Sequence, residues 1–309
     1  MNDLVSVIIP TYSRNDQLIR AIESVQNQTY KNIEILVIDD NPADSEWRIK
    51  TEKLMKKYEN DSRVRYMKNP YNMGGAGARN EGIRAATGEY LAFLDDDDYY
   101  YPQKVEKQLL MFLQSDNEKL ALVYCYAECI DKEGKVIHVY RENYRGNCLY
   151  EAIRYSCIAS TSRWMVRKSC LQMVGNFSIV PSQQDSTVIL KLLEQGYELD
   201  CVEEILSCYD DSGSLRISMG SVKNIEGLRM YKERCMKNYN NFDLDQILEI
   251  EFMFAYKFFW LNDKNGFTAE RNKQLKWMLK CNFFKSLYMV SKYYLNKLKN
   301  CMLKVSANK

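Results

Sequence analysis

The sequence predicts an α/β fold with a mostly parallel sheet in its first half and helices toward its C-terminal end. Short apolar runs of strand length, such as Val5–Ile9, Ile33–Ile38 and Tyr90–Leu94, alternate with stretches whose apolar residues recur at helical spacing. Alternating strands and helices indicate parallel pairing, because each helix carries the chain back to the starting edge of the sheet. After Pro181 the chain has no proline, and from about residue 222 the apolar residues follow helical spacing.

The predicted elements follow one another regularly over the first half of the chain. Strands are predicted at 5–9, 33–38, 64–67, 90–94 and 120–126. Helices are predicted at about 18–25, 46–58, 74–86 and 102–115. The last of these has Pro102 in its first turn, where a missing N–H removes no helical hydrogen bond. We therefore predict a catalytic body at 1–215 and a mainly helical extension at 216–309.

The charge of the chain is divided unevenly. The net charge is +2, yet residues 271–309 hold ten basic and no acidic side chains, which leaves −8 for residues 1–270. The basic tail interleaves lysines with apolar residues such as Trp277, Phe284 and Tyr293. On a helix this pattern fits contact with an anionic membrane surface, although a packing helix with a solvated lysine face has the same composition. The acidic body argues against a nucleic-acid partner.

The composition also bears on the compartment. No stretch approaches the ~18 consecutive apolar residues of a membrane span, and the N-terminal residues lack the features of a signal peptide. The ten cysteines include no CxxC pair and His138 is the only histidine, so a Cys/His zinc site is not expected. We expect reduced thiols and a cytoplasmic protein, peripheral on the inner face of the cell membrane if the tail binds there.

The sharpest chemical feature is the run Asp95–Asp98, directly after the fourth predicted strand. Adjacent carboxylates repel one another, and a divalent cation such as Mg²⁺ or Mn²⁺ relieves that repulsion. A solvated acidic turn before the next helix is an equally good explanation of the run alone. However, Thr11-Tyr12 and Asp39-Asp40 also end strands. Ligands of such sheets bind beyond the carboxyl ends of the strands, so we expect one site at this edge.

These strand ends belong to an ordered series of motifs. The series contains Val5–Tyr12, Ile38–Asn41, Asn72–Gly74, Ala78–Asn80, Gly88–Tyr90, Asp95–Asp98, Arg167-Lys168, Val174–Phe177 and Gln184-Asp185. It resembles the family 2 glycosyltransferases over residues 1–210. The resemblance implies a GT-A fold, a Rossmann-like mixed sheet flanked by helices. It also implies transfer of a sugar from a nucleotide-sugar donor, with inversion at the anomeric carbon.

The resemblance implies a nucleotide pocket at the ends of the first two strands. Pro10, Thr11 and Tyr12 would form the pocket, with Tyr12 against the base, and Asp39 or Asp40 would hydrogen-bond the base edge. A packing aromatic explains Tyr12 equally well in isolation, and turn chemistry explains the two acids. UDP is the nucleotide that the resemblance favours.

The acidic run resembles the DXD motif of the same family. By that resemblance Asp95 and Asp96 face the ribose and the sugar phosphate, and Asp97 binds Mn²⁺ or Mg²⁺. Arg79 is expected to help hold the nucleotide or its diphosphate.

Asp185 lies where this family places its catalytic base. The family pattern is a Glu-Asp pair at the start of a helix, and here the pair is Gln184-Asp185. An aspartate at a helix start is more often an N-cap, which is the alternative for Asp185. As the base it would accept the proton of an acceptor hydroxyl.

The sequence favours a transferase that adds one sugar to a saccharide or lipid-linked saccharide acceptor over two other classes of protein. A nucleotidyltransferase would carry a glycine-rich basic loop after the first strand, and none is present. A non-catalytic nucleotide-sugar-binding or scaffold protein would not need both the acidic run and Asp185. Ser162-Arg163-Trp164 superficially resembles a motif of processive synthases but precedes Asp185 instead of following it. Arg216 and Ser218 lie where a loop could cover the diphosphate, but charge on the surface of a loop is the commoner explanation of such residues.

Overall fold

A computed structural model describes residues 2–156, 158, 160–211 and 221–307, with side chains as far as Leu298. The chain divides into two compact units, Met1–Arg216 and Ile217–Lys309. The boundary predicted from the sequence falls within 212–220, outside the described residues.

The described part of the first unit contains a nine-stranded sheet. Its strands are β1 (Val5–Thr11), β2 (Ile33–Asp39), β3 (Val64–Lys68), β4 (Tyr90–Phe93), β5 (Tyr99–Tyr100), β6 (Leu120–Ile130), β7 (Val136–Tyr140), β8 (Trp164–Arg167) and β9 (Glu198–Asp210). They lie in the order β3-β2-β1-β4-β8-β6-β9-β5, with β7 paired to β6. The pairs among β1 to β4 are parallel. All five predicted strands are present, and the predicted mixed, mostly parallel α/β sheet is confirmed.

Four strands were not predicted, and they form most of the other half of the sheet. β8 lies between β4 and β6 and is antiparallel to both. β5 has only two residues, and β8 is a run of three apolar residues that ends at Arg167. The long strand β9 pairs with β6 in parallel, but its register shifts past the exposed Glu203 and Glu204. This irregularity breaks the period-2 alternation by which a strand is recognised.

Helices cover both faces of the sheet. In the first unit they are α1 (Asp16–Gln26), α2 (Glu46–Met55), α3 (Gly74–Ala85), α4 (Lys104–Gln114), α5 (Leu149–Tyr155), α6 (Lys168–Met173) and α7 (Gln184–Glu194). One buried apolar cluster includes α1, α2 and α4, and a second includes α3, α5, α6 and α7. Successive residues of β1 alternate between the clusters, because strand side chains point to opposite faces in turn. The helix predicted from Pro102 begins two residues later, after a turn.

The second unit is helical in its described part. Its helices are α8 (Val222–Met236), α9 (Leu244–Lys264), α10 (Thr268–Cys281) and α11 (Phe283–Ala307). A capping box starts α9, in which the Asp243 side chain accepts the Gln246 N–H and the Gln246 side chain accepts the Asp243 N–H. Within the described chain, no helix combines the length and apolarity needed to cross a membrane.

Gly82 tests how closely α3 packs on β1. A methyl group at Gly82 would overlap with the side chain of Ile8, which is fully buried. Alanine favours a helix by about 1 kcal/mol over glycine, but overpacking a core costs about 1–3 kcal/mol. We therefore expect Gly82→Ala to lower the free energy of unfolding, measured by urea denaturation. In an Ile8→Ala background, which removes the overlapping atoms, the same change should be neutral or stabilising. An equal cost in both backgrounds would contradict this packing.

Candidate active site

The acidic run lies at the carboxyl end of β4, beside the end of β1. The two strands are parallel and Ile8 pairs with Phe93. The Leu94 N–H donates to the Ile8 carbonyl oxygen over 3.0 Å, which extends the pairing one step beyond the strand. Residues that follow both strands therefore leave the sheet at the same edge. This register brings Asp95–Asp98 next to the loop between β1 and α1.

Asp96 connects the two loops. Its Oδ2 accepts a hydrogen bond from the Thr11 hydroxyl over 2.8 Å and from the Tyr12 N–H over 3.2 Å. Its Oδ1 is 2.9 Å from Nη1 of Arg14. Burial raises the pKa of Asp96, Arg14 lowers it and the neighbouring Asp97 raises it, with a net rise to about 6. The positive charge at this point therefore only partly compensates the carboxylates.

Asp97 and Asp98 are also nearly buried and face different partners. Nη1 of Arg14 lies 2.7 Å from Oδ2 of Asp97, so one guanidinium nitrogen contacts both Asp96 and Asp97. The Asp98 carboxylate accepts the Ser162 hydroxyl over 2.6 Å. Arg14 and Ser162, from two distant chain segments, thus hold these carboxylates.

Arg79 of α3 links the acidic run to the start of α7. Its Nη2 is 2.5 Å from Oδ1 of Asp95, and its guanidinium lies 5.5 Å from the centre of the Phe177 ring. The buried guanidinium also lowers the pKa of Asp185. The backbone N–H of Asp95 donates to the Ser162 hydroxyl over 3.1 Å. Asp95 and Asp185 therefore share an electrostatic neighbour, although they are ninety residues apart in the chain.

Asp185 has the properties of a proton acceptor near neutral pH. It is the second residue of α7, whose N-cap is Gln183 in a left-handed conformation with φ of 62°, so Asp185 is not the N-cap. Burial raises the pKa of Asp185, Arg79 lowers it, Asp95 raises it and a backbone hydrogen bond from Thr161 lowers it. The net effect raises the pKa to about 7. A group with a pKa near the working pH suits general acid–base chemistry.

The three residues predicted for the nucleotide pocket lie at the end of β1 or directly after it, and they differ in exposure. Pro10 is half-buried, and the Thr11 hydroxyl is committed to Asp96. Tyr12 is 50% exposed, so it does not have the burial of a packing aromatic. The structure brings these residues to the acidic run, with Tyr12 presented to solvent.

The two acids that follow β2 have structural partners. Asp39 is fully buried, its Oδ2 lies 3.1 Å from Nε of Arg48, and its Oδ1 accepts the Asn41 N–H. The nearly buried Asp40 accepts the Gly74 N–H over 2.8 Å and thus caps α3. Contact of either acid with a base stays a prediction, while their turn and capping contacts are directly visible.

Several residues around the site were not identified from the sequence as site residues. They are Arg14, Arg20, Ser162 and Asp210. The Arg20 guanidinium donates to the Asp97 carbonyl oxygen over 2.7 Å and lies 2.6 Å from Oδ2 of Asp210. The acidic run itself was a usable signal for the two arginines. Four adjacent carboxylates require nearby cations, and the segment after β1 supplies Arg14 and Arg20. No such signal marks Ser162 or Asp210.

Arg216 and Ser218, which the sequence places in a possible loop over the diphosphate, are outside the described residues. Among the residues that the structure does describe, no group of three or more His, Cys, Asp or Glu side chains forms a cage for a metal ion.

The ion pair of Asp39 with Arg48 allows a structural role of Asp39 to be tested separately from a role in ligand binding. Removing one partner of a buried ion pair costs about 3–5 kcal/mol, because the other charge stays buried. We expect Asp39→Asn to lower the free energy of unfolding by about that amount, measured by urea denaturation without ligand. The more exposed pair of Asp61 and Arg63 is the matched control, and Asp61→Asn should cost about 1 kcal/mol or less. Unchanged stability in Asp39→Asn would leave only the ligand-binding role.

Comparisons with known proteins bear on the family and the fold of the chain. The family model "Glycosyl transferase family 2" matches residues 6–170. Among curated relatives, the Escherichia coli UDP-Glc:alpha-D-GlcNAc-diphosphoundecaprenol beta-1,3-glucosyltransferase WfaP is 44% identical over 107 residues. That alignment covers 35% of this chain and 40% of the relative, so the chain spans less than half of its length.

Solved structures show the same fold at low sequence identity. TarS 1-349 of S. aureus in complex with UDP-GlcNAc has a TM-score of 0.65 and 17% identity, and the match covers 90% of this chain and 81% of that chain. Mannosyltransferase PcManGT from Pyrobaculum calidifontis, in complex with GDP-Man and Mn²⁺, has a TM-score of 0.62 and 14% identity, with 96% and 81% covered. The chain therefore belongs to glycosyltransferase family 2 and has the GT-A fold.

Proposed function

We propose that this glycosyltransferase moves a single sugar from a nucleotide-diphosphate sugar to an acceptor hydroxyl by direct displacement. The observation that carries the proposal is the meeting of two acidic groups at Arg79. One group is the run that begins with Asp95 at the end of β4, and the other is Asp185 at the start of α7. The acidic run suits the binding of a donor diphosphate with its counter-ion, and Asp185 suits the role of a proton acceptor.

The donor nucleotide is assigned to the ends of β1 and β2. Tyr12 has the exposure needed to stack on a base, and Pro10 and Thr11 would form the wall beside it. Asp39 or Asp40 is proposed to hydrogen-bond the base edge, and either would have to do so besides its contacts with Arg48 or Gly74. UDP is the proposed nucleotide, supported by the UDP-GlcNAc bound to TarS and the UDP-Glc in the name of WfaP.

The acidic run is the proposed place for a divalent cation. Its carboxylates already gather around a cationic group, since Nη1 of Arg14 contacts both Asp96 and Asp97. The pKa of Asp96 is nevertheless raised to about 6, which indicates that further positive charge would be stabilised there. Asp97 is the proposed ligand of Mn²⁺ or Mg²⁺, and Asp95 and Asp96 would face the ribose and the sugar phosphate. Such a cation supplies positive charge to the departing diphosphate.

The transfer step needs a base for the acceptor. Asp185 would accept the proton of the acceptor hydroxyl while that oxygen forms a bond to the anomeric carbon. The bond from the anomeric carbon to the diphosphate breaks, and the nucleoside diphosphate leaves with the electron pair. Arg79, held by Asp95, keeps positive charge beside Asp185 and favours its carboxylate form. Attack opposite to the leaving group inverts the anomeric configuration.

The proposed acceptor is a saccharide, either free or linked to a lipid. WfaP, by its name, acts on a saccharide attached to diphosphoundecaprenol. Its aligned segment is under half of its length, so this relationship supports the class of acceptor and does not identify the acceptor. Glycan or polysaccharide synthesis is the corresponding process.

Asp185 and Asp97 have different tasks, which gives one experiment with two variants. Asp185→Asn should reduce sugar transfer by about 10²–10⁴-fold while UDP-sugar binding, measured by calorimetry with Mn²⁺, stays near that of the wild type. The variant should fold normally, because Asp185 is half-buried and burial disfavours its charged form, so a neutral amide of the same size is tolerated there. Asp97→Asn should instead lose the gain in UDP-sugar affinity that Mn²⁺ gives the wild type.

Asp116→Asn, at an exposed position, is the matched control and should transfer at the wild-type rate. Full activity in Asp185→Asn would remove this residue from the mechanism. Equal gains from Mn²⁺ in Asp97→Asn and the wild type would remove Asp97 as a metal ligand. A wild-type protein that binds UDP-sugars but neither transfers nor hydrolyses any of them would be a binding protein, which is the competing assignment.

A further inference from the structure

Helix α11 has two apolar faces, and only one of them is used for packing. Met289, Val290, Tyr293 and Tyr294 lie against a buried cluster that includes Phe259. The rings of Tyr293 and Tyr294 meet that of Phe259 edge to face, with centroids 5.9 and 6.3 Å apart. These contacts fix which side of α11 faces its own unit.

The other face of α11 presents large apolar side chains to solvent. They recur at helical spacing and are 83%, 47%, 66%, 58% and 56% exposed, in the order Phe284, Leu287, Tyr288, Leu295 and Leu298. We call these five residues the outer stripe. Ser291, also exposed, fills the gap in the middle of the stripe. An exposed apolar patch of this extent marks an interaction surface.

The charge around the outer stripe is positive. No acidic residue occurs from 271 to 309, and the exposed Lys292 lies beside the stripe with its ammonium over the Tyr288 ring. Two acids of α9 pair with lysines of α11. Glu249 lies 3.8 Å from Lys285, and Asp263, on the packed side beside Tyr293, has Arg271 and Lys297 within 2.9 and 2.7 Å. The pKa of Asp263 is held below the usual range despite partial burial, by Lys297 and Arg271 in particular. The surface that α11 presents is therefore apolar and cationic together.

A comparison with helix α10 shows that an exposed apolar stripe is a property of α11 and not of the whole basic tail. Met278 of α10 is buried, and Leu275 and Trp277 pack against the same cluster as α11. The exposed positions of α10 are mainly polar, such as Lys273, Lys276 and Lys280. The alternative reading of the tail, a packing helix with solvated lysines, therefore describes α10. It does not account for the outer stripe.

We propose that the outer stripe of α11 lies in the interface of an anionic lipid bilayer, with the helix axis parallel to the membrane surface. The apolar side chains would enter the boundary between headgroups and acyl chains, and the lysines would contact anionic headgroups. Charge complementarity favours an anionic bilayer over an apolar partner protein. Only an anionic partner accounts for the absence of acidic residues from 271 to 309. The inference goes beyond the transfer reaction, which does not depend on it.

The test is sedimentation of the full chain with vesicles of phosphatidylcholine and phosphatidylglycerol in equal parts. The wild type should bind, and Phe284→Glu with Leu295→Glu should reduce the partition coefficient by about tenfold or more. The matched control is Leu244→Glu with Leu248→Glu, which places the same charges on exposed leucines of α9. The control should bind as the wild type does. Vesicles of phosphatidylcholine alone should bind the wild type more weakly, because they lack the anionic charge.

Each contrary outcome overturns the inference. Failure of the wild type to bind anionic vesicles would do so, as would equal binding by the outer-stripe variant. Self-association of the wild type without lipid, abolished by the same variant, would assign the stripe to a second copy of the chain. Since the substituted residues are exposed, near-ultraviolet circular dichroism should match the wild type. Transfer to a water-dispersed acceptor, measured on the same samples, reports separately on the proposed reaction.

Discussion

The site depends on the need to compensate four adjacent carboxylates at the end of one strand. The parallel register of β1 and β4 brings Arg14 to Asp96 and Asp97, and α3 brings Arg79 to Asp95. Leaving such carboxylates unpaired at this depth would cost several kcal/mol each. The acidic run therefore ties together the β1 loop, α3 and the segment around Ser162.

The positive charge of Arg14 offsets the burial and mutual repulsion of these carboxylates only in part. This is the reason why a further cation and a diphosphate are proposed to bind there. The pKa of Asp96 stays raised, and Asp185 experiences burial and the Asp95 charge more strongly than the attraction of Arg79. The proposed donor diphosphate would add negative charge and need further cations, while Asp185, as the proposed base, would need a pKa close to neutrality to take a proton. Arg79 connects the two requirements, because its charge acts on the first carboxylate of the run and on the proposed base.

The sequence predicted those parts of the molecule that repeat a simple period or follow a strand directly. The buried strands β1, β2 and β4 were recognised by apolar runs, and the acidic run by its position after β4. β9 escaped because its register shift past Glu203 breaks the alternation. The partners of Asp39 and the bridging position of Arg14 depend on contacts between distant segments, which no local pattern reports. The tail was recognised as basic and amphipathic, but only packing distinguishes α10 from α11.

The most direct test of the central claim is the pH dependence of kcat/KM for sugar transfer. Asp185 must be a carboxylate to act as the base, and its pKa in the folded protein is raised to about 7. The account predicts that kcat/KM falls about tenfold per pH unit below that value and levels off above it. A profile that stays flat from about pH 5 to 8, or one with the same acidic limb in Asp185→Asn, would contradict it.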